Sequence, residues 1–217
     1  MSDPATPAAR PATLVLLVRH GRTPTTGRDL PGRAPGLSLD GSGRDQAQRL
    51  AARLAGLRID ALYSSPLERA QETAAPTARR TGLAVREEPG LLEGEFGDWT
   101  GRPLAELTAL PAWQDVQRHP AGFRFPGGES FAEMQARMVG TIERLRREHE
   151  GGTVVCFSHA DPIRLLLAHA LGTPLDAFQR ISVGTASVSA ISYATDRDPV
   201  VLTVSSTTDS LAQLTAS

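Results

Sequence analysis

The chain has 217 residues and a formal net charge of -1, and all 23 of its basic residues are arginine. The missing lysine excludes a Walker A phosphate-binding lysine, a pyridoxal phosphate Schiff base and a lysine general base. Near-neutral charge offers no electrostatic basis for nucleic acid or a membrane surface as partner, and no stretch approaches the roughly 18 apolar residues of a membrane span.

Met1 to Thr13 is rich in Ala and Pro without the apolar segment of a signal peptide, so residues 1–13 are expected to be a disordered tail. Leu14 to Val18 is a continuous apolar run, the pattern of a strand covered on both faces, and it stops at Arg19-His20-Gly21. After a Gly/Pro-rich loop from Gly27 to Gly36, apolar residues at Ala47, Leu50, Ala51, Leu54 and Leu57 recur at helical spacing, with Gly56 at the end. Asp60 to Ser64 reads as a second strand, Pro66 as the first turn of a helix running to about Arg80, and Leu83 to Glu87 as a third strand.

Ser130-Phe131-Ala132-Glu133 has the form of a capping box and opens a helix to about His149. Thr153 to Phe157 is another buried strand, and Asp161-Pro162 begins a helix through Leu171. Ser187 to Tyr193 and Val200 to Val204 read as two antiparallel edge strands. Cys156, the single cysteine, cannot close an internal disulfide and sits among Val154, Val155 and Phe157 as a core thiol. That usage suits a reducing compartment, and the cytoplasm is the expected location.

Strands alternating with helices predict a three-layer α/β/α domain over residues 14–205, with a mostly parallel central sheet and one antiparallel edge, followed by a polar tail at 206–217. One stretch breaks the alternation. Between Glu93 and Phe131 lie Phe96, Trp99, Trp113, Phe123, Phe125 and Phe131. Such a concentration suggests a cap-like excursion, about residues 94–129, over the ends of the strands, where it would enclose a substrate; a satellite core under a long loop is the plainer reading, and the two are compatible.

Ligands of open α/β sheets bind outside the carboxyl ends of the strands. Two of the predicted strands end in histidine, giving Arg19-His20 and Ser158-His159, and a third ends just before Arg69. If these strands are neighbours, two imidazoles and two arginines meet over one crevice, a pocket that suits phosphate because guanidinium groups match its oxygens in pairs. A dinuclear metal centre would want several Asp, Glu and His ligands, and only Glu93 accompanies the two histidines.

Five blocks carry a resemblance: Arg-His-Gly-Arg-Thr at 19–23, Ser-Ser-Pro-Leu-Glu-Arg-Ala-Gln-Glu-Thr-Ala at 64–74, Leu-Leu-Glu-Gly-Glu-Phe-Gly-Asp-Trp-Thr-Gly at 91–101, Pro-Gly-Gly-Glu-Ser at 126–130 and Ser-His-Ala-Asp-Pro-Ile at 158–163. In order and spacing they resemble the histidine phosphatase superfamily, over roughly residues 14–205. The resemblance implies a metal-independent phosphomonoester hydrolase with no cofactor. In it His20 would be the nucleophile that takes up the phosphoryl group, Arg19, Arg69 and His159 would hold the phosphoryl oxygens, a backbone amide at Ala160 would add a donor, and Glu93 would be the proton donor. Glu95 and Glu129 are rival carboxylates in the same region. Glu133 reads as a helix cap, and Glu68 and Glu72 as solvated helix residues.

The superfamily also contains phosphoglycerate mutases, whose cofactor-dependent members carry a lysine after the acid and a pair of arginines further on. This chain has no lysine, and no adjacent arginine pair lies between Glu93 and Phe131, which favours hydrolysis over mutase transfer; a non-catalytic binder of phosphorylated ligands is the reading from another class. Thr25-Thr26 stands where many relatives have Trp-Asn, so the hydroxyls of Thr23 and Thr26 are candidate phosphate ligands. Arg22 is either an attractor for an anionic substrate or a rim salt bridge. Phe96 and the aromatic cap suggest a substrate with an apolar or ring-containing group beyond its phosphate. The expected partner is thus a small-molecule phosphomonoester, with neither nucleic acid nor membrane, and a homodimer is compatible with the sequence.

Overall fold

The computed structural model describes residues 12–207; the predicted tails fall almost wholly outside these. The chain forms, in order, β1 (Thr13–Arg19), α1 (Gly41–Leu54), β2 (Ala61–Ser64), α2 (Glu68–Thr81), β3 (Val85–Glu87), the short helices α3 (Leu104–Leu107) and α4 (Ala112–Arg118), α5 (Phe131–Glu148), β4 (Thr153–Ser158), α6 (Ala160–Ala170), β5 (Val188–Tyr193) and β6 (Val200–Ser206). Six strands make one sheet in the order β3-β2-β4-β1-β5-β6. The first four are parallel, while β5 and β6 run antiparallel to their neighbours.

Alternation along the strands sorts their side chains to two faces. Val15, Leu17, Tyr63, Cys156 and Ile191 pack against Met138, Ile142 and Leu145 of α5 and Ile163, Leu166 and Leu167 of α6. Leu16, Val18, Leu62, Val155 and Phe157 pack against Leu50 and Leu54 of α1 and Ala74 of α2. Covering both faces is why β1 and β4 read as unbroken apolar runs, and it makes the architecture the three layers expected. Cys156 is wholly buried in the first of these clusters, and burial pushes its thiol pKa upward, away from nucleophilic use.

Helix ends depart from the periodicity by a few residues for identifiable reasons. Asp40 caps α1 by accepting the Gly43 amide, and the helix ends at Leu54, two residues before Gly56, leaving Leu57 46% exposed and off the buried stripe. α2 begins at Glu68, beyond Pro66, because Leu67 is still in extended conformation. α5 carries the full capping box, with Ser130 accepting from the Glu133 amide and Glu133 accepting from the Ser130 amide. Glu68 and Glu72 are more than solvated helix residues: their carboxylates accept the amides of Gly36 and Leu39, and so tie the loop after β1 to α2.

The aromatic excursion forms a small core of its own. Phe96, Trp99, Phe125 and Phe131 are buried and pack with Leu107 and Val116 of the short helices and with Leu165, Ala168 and Phe178 from the main domain. Rings meet at offset and edge-on angles, for example Phe123 and Phe125 at 5.1 Å and 89°. Gly97 has φ +52, and a Cβ there would lie 2.0 Å from the Pro126 carbonyl, so glycine is what lets the two ends of the excursion close on each other. Among the described residues, no helix is long and apolar enough to cross a membrane.

Candidate active site

β1 and β4 are adjacent and parallel, in the register Arg19 to Ser158, so the residues just beyond them emerge side by side. β1 leads to α1 on one face of the sheet and β4 leads to α6 on the other. This divergence opens the crevice at the carboxyl edge in which α/β folds place ligands. The His20 amide donates to the Ser158 carbonyl at 2.9 Å, fixing the strand ends together, and the two imidazole centroids lie 5.2 Å apart.

The loop that carries His20 is held against both helices beneath it. Gly21 donates its amide to Thr73 Oγ1, which in turn donates to the Arg69 carbonyl on α2. A Cβ on Gly21 would come 2.7 Å from the Gly43 carbonyl at the start of α1, so the close approach of loop and helix requires glycine there.

His20 is 6% exposed, and its Nδ1 lies 2.7 Å from the Gly21 carbonyl. A carbonyl only accepts, so Nδ1 carries the proton and Nε2 of the neutral ring keeps its lone pair. Burial, then the charges of Arg69 and Arg19, push the His20 pKa down to about 3. The ring is therefore neutral across the physiological range, with Nε2 free. His159 is wholly buried and is held neutral by the same causes, burial first and Arg69 next.

Arg69 lies in the first turn of α2, is wholly buried, and spends one Nη2 proton on the Gly32 carbonyl at 2.8 Å. Arg19 donates through Nη1 to the Val183 carbonyl at 2.7 Å. Arg19 Nε, Arg69 Nε and Nη1, and His159 Nδ1 are buried without a hydrogen-bond partner among the described residues. Each such orphan costs ~1–3 kcal/mol, a penalty that an anion accepting from all of them would relieve. Burial lowers the pKa of both arginines, and they remain cationic.

Glu93 is 8% exposed and accepts the Gly94 amide at 3.0 Å. Burial, and next the negative charge of Asp161 in the first turn of α6, raise its pKa to about 7, against the opposing pull of Arg69 and Arg19. A carboxyl group poised there can both give and take a proton near neutrality.

The rival carboxylates have arginine partners. Glu129 accepts from Arg137 at 2.7 Å, from Arg33 at 3.1 Å and from the Glu95 amide at 3.1 Å, while Glu95 pairs with Arg33 at 3.5 Å. Both arginines also donate to the Glu93 carbonyl, Arg33 at 2.8 Å and Arg137 at 3.3 Å, and Arg137 binds the carbonyls of Gly90 and Leu92 as well. Glu129 is thus the centre of a frame that fixes the backbone of Glu93. None of this frame is visible in the local pattern, because Arg33, Glu129 and Arg137 come from three separate segments.

The remaining predicted residues are spread around the cluster. Thr23 is buried, and its amide and hydroxyl both bond to Thr26 Oγ1, at 2.9 and 3.0 Å, so these hydroxyls form a turn with each other. Arg22 pairs with Asp40 at 3.2 Å with its side chain 58% exposed. Ala160 opens α6, whose N-cap, His159, provides no side-chain cap, leaving the first amides of that helix to other acceptors. Phe96 is buried in the aromatic cluster and lines a cavity of about 320 Å³ with Leu30, Leu104, Trp113, Asp161 and Arg164. One contact was not foreseen: Ser65 Oγ lies 2.8 Å from His159 Nε2.

Fold and cluster together define an α/β protein with a buried, cation-rich histidine cluster at the carboxyl edge of its sheet. The sequence matches the family described as the histidine phosphatase superfamily (branch 1) over residues 15–206. Phosphoserine phosphatase 1 of Hydrogenobacter thermophilus is 32% identical over 201 residues, covering 87% of this chain and 90% of that protein. A probable phosphoglycerate mutase GpmB of Yersinia enterocolitica is 32% identical over 182 residues, covering 82% of this chain and 84% of that one. Among solved structures, a mycobacterial glucosyl-3-phosphoglycerate phosphatase superposes with a TM-score of 0.81 at 27% identity, covering 90% of this chain and all of that one. The chain belongs to the histidine phosphatase superfamily.

Proposed function

We propose that the protein is a phosphomonoester hydrolase that works through a phosphohistidine on His20. The decisive feature is an imidazole with its Nε2 lone pair free, set beside four buried nitrogens of Arg19, Arg69 and His159 that lack partners among the described residues. In the first step Nε2 attacks phosphorus and the P–O ester bond breaks. Glu93 gives its proton to the leaving oxygen, and the imidazole carries the phosphoryl group with Nδ1 still protonated and bonded to Gly21. In the second step water attacks phosphorus, the carboxylate of Glu93 takes the water proton, and the P–N bond breaks to return neutral His20. Arg19, Arg69 and His159 offset the charge on the transferring oxygens in both steps, where electrostatic complementarity supplies most of the acceleration.

Hydrolysis is favoured over mutase transfer because the extra cations near Glu93 are already engaged. Arg33 and Arg137 are bound to Glu129 and to main-chain carbonyls, which leaves little positive charge for a second anionic group of a phosphoglycerate. The cavity under the cap, with apolar walls from Leu30, Phe96, Leu104 and Trp113, suits the alcohol portion of a substrate with a ring or apolar body. Names of the relatives supply phosphorylated small molecules as the substrate class, and free phosphate release is the activity we assign.

A panel of phosphomonoesters tests this assignment, with His20→Ala as control and conversion of 3- to 2-phosphoglycerate followed in parallel. Phosphate release with negligible conversion is expected, and benzyl phosphate should exceed glycerol 3-phosphate in kcat/KM by roughly tenfold, the worth of burying a ring portion. Conversion without release would establish the mutase, and ligand binding without either would establish the binder. Equal turnover of compact and ring-bearing esters would remove the role given to the cap cavity.

A further inference from the structure

Ser65 is wholly buried immediately after β2, and its amide donates to the Phe157 carbonyl at 2.9 Å, which locks the end of β2 to β4. Its hydroxyl oxygen lies 2.8 Å from Nε2 of His159. The direction of that bond decides what His159 can do, because a neutral imidazole has one N–H and one lone pair.

The surroundings settle the direction. The Leu67 amide points its proton at Ser65 Oγ from 3.4 Å, so that side of the oxygen already acts as an acceptor. The Ser65 carbonyl is taken by Ser64 Oγ and Gln71 Nε2. For the hydroxyl proton itself, the acceptor within reach is Nε2 of His159. Were Nε2–H to donate instead, the serine proton would be buried without an acceptor, and Nδ1 would turn a lone pair toward any phosphoryl oxygen. Donation by the serine puts the imidazole proton on Nδ1, which is buried and has no partner among the described residues. That nitrogen belongs to the same cationic cluster as Arg19 and Arg69, and the ring is neutral there, so the choice of tautomer is real.

We propose that Ser65 is a positioning residue for phosphoryl transfer: its hydroxyl donates to Nε2 of His159 and so sets the Nδ1–H tautomer that donates to a phosphoryl oxygen. This rests on the hydrolase assignment above, in which His159 holds the transferring group.

Long-range proton–nitrogen correlation spectra of the wild-type protein labelled with ¹⁵N-histidine, recorded with inorganic phosphate, read the tautomer directly without any variant. The Nδ1–H form of His159 is expected; an Nε2–H form overturns the proposal. Ser65→Ala should weaken inorganic phosphate binding roughly tenfold and lower kcat by 10- to 100-fold, while Ser65→Thr, which keeps the donor, should recover to within a few-fold of wild type. A folded Ser65→Ala protein with unchanged phosphate affinity and kcat would also overturn it. His20→Ala separates the two levels: if that variant retains turnover the hydrolase assignment fails, whereas if it is inactive and the His159 tautomer is Nε2–H, only the role of Ser65 fails.

Discussion

Two pairs of arginines lie near Glu93, and they are treated in opposite ways. Arg33 and Arg137 bind the Glu129 carboxylate and the carbonyls around Glu93. Arg19 and Arg69 form no ion pair with a carboxylate among the described residues, and they hold three buried unpartnered nitrogens, against one, Nε of Arg137, in the other pair. An arginine whose charge is offset by a carboxylate is a structural tie, whereas a buried one with no carboxylate partner keeps a penalty that an anion can release. On the function proposed above, the difference singles out Arg19 and Arg69 as the phosphoryl ligands more sharply than charge alone, since all four guanidinium groups carry the same charge.

Substitutions can break this contrast from either side. The largest effect is expected from Arg69→Lys, which keeps the charge but loses the planar fork: kcat/KM for phosphomonoesters should fall by roughly 10²–10³-fold with the melting temperature little changed. A loss under threefold would mean that the unpartnered nitrogens of Arg69 do not meet the phosphoryl group. Glu129→Gln acts on the tied pair instead. It leaves Arg33 and Arg137 under-compensated, so unfolding in denaturant should show a loss of about 2 kcal/mol, with kcat down only about tenfold as the Glu93 backbone loosens. If stability is unchanged while kcat falls below a thousandth, Glu129 is doing chemistry.

The smallest effect concerns pH. In the mechanism proposed above Glu93 must hold a proton to serve the leaving oxygen; it is raised to about 7, while His20 is neutral above about 3, so kcat/KM with an alkyl phosphate should plateau between those values and fall as pH rises through 7. Asp161 is the second cause of the Glu93 elevation, after burial. Asp161→Asn should therefore move the alkaline limb to lower pH, by on the order of half a unit. A limb that stays in place, or moves upward, would dissociate Asp161 from the proton donor.

Much of this was legible in the chain because the informative residues sit at strand ends. Continuous apolar runs mark β1 and β4 as doubly covered, and the residues at the end of each run, Arg19-His20 or His159, fall at the carboxyl edge of the sheet. Adjacency of the two strands was the one condition that periodicity could not supply, and the register of Arg19 with Ser158 meets it. Contacts between distant segments were not legible. Ser65 reaches a histidine 94 residues away, and the frame around Glu93 joins Arg33 to Glu129 across 96. Glu68 and Glu72 look like ordinary helix-surface residues until the Gly/Pro-rich loop folds back and presents the amides of Gly36 and Leu39. The aromatic excursion was ambiguous in a different way, since a satellite core and a substrate cap demand the same apolar composition. The structure shows the packed ring cluster with a cavity along one side, and the substrate panel proposed above tests the cap.

Among the described residues the arginines that stand in for lysine include ties such as Arg33 and Arg137 and, beside His20, Arg19 and Arg69 with no carboxylate partner. Covalent phosphorylation of that histidine is the point on which the account stands. Wild-type protein quenched during turnover of a radiolabelled phosphomonoester should carry one acid-labile, alkali-stable phosphoryl group, mapped to the peptide containing His20 and absent from His20→Ala. Steady turnover with no such label, or a label that persists in His20→Ala, would contradict it.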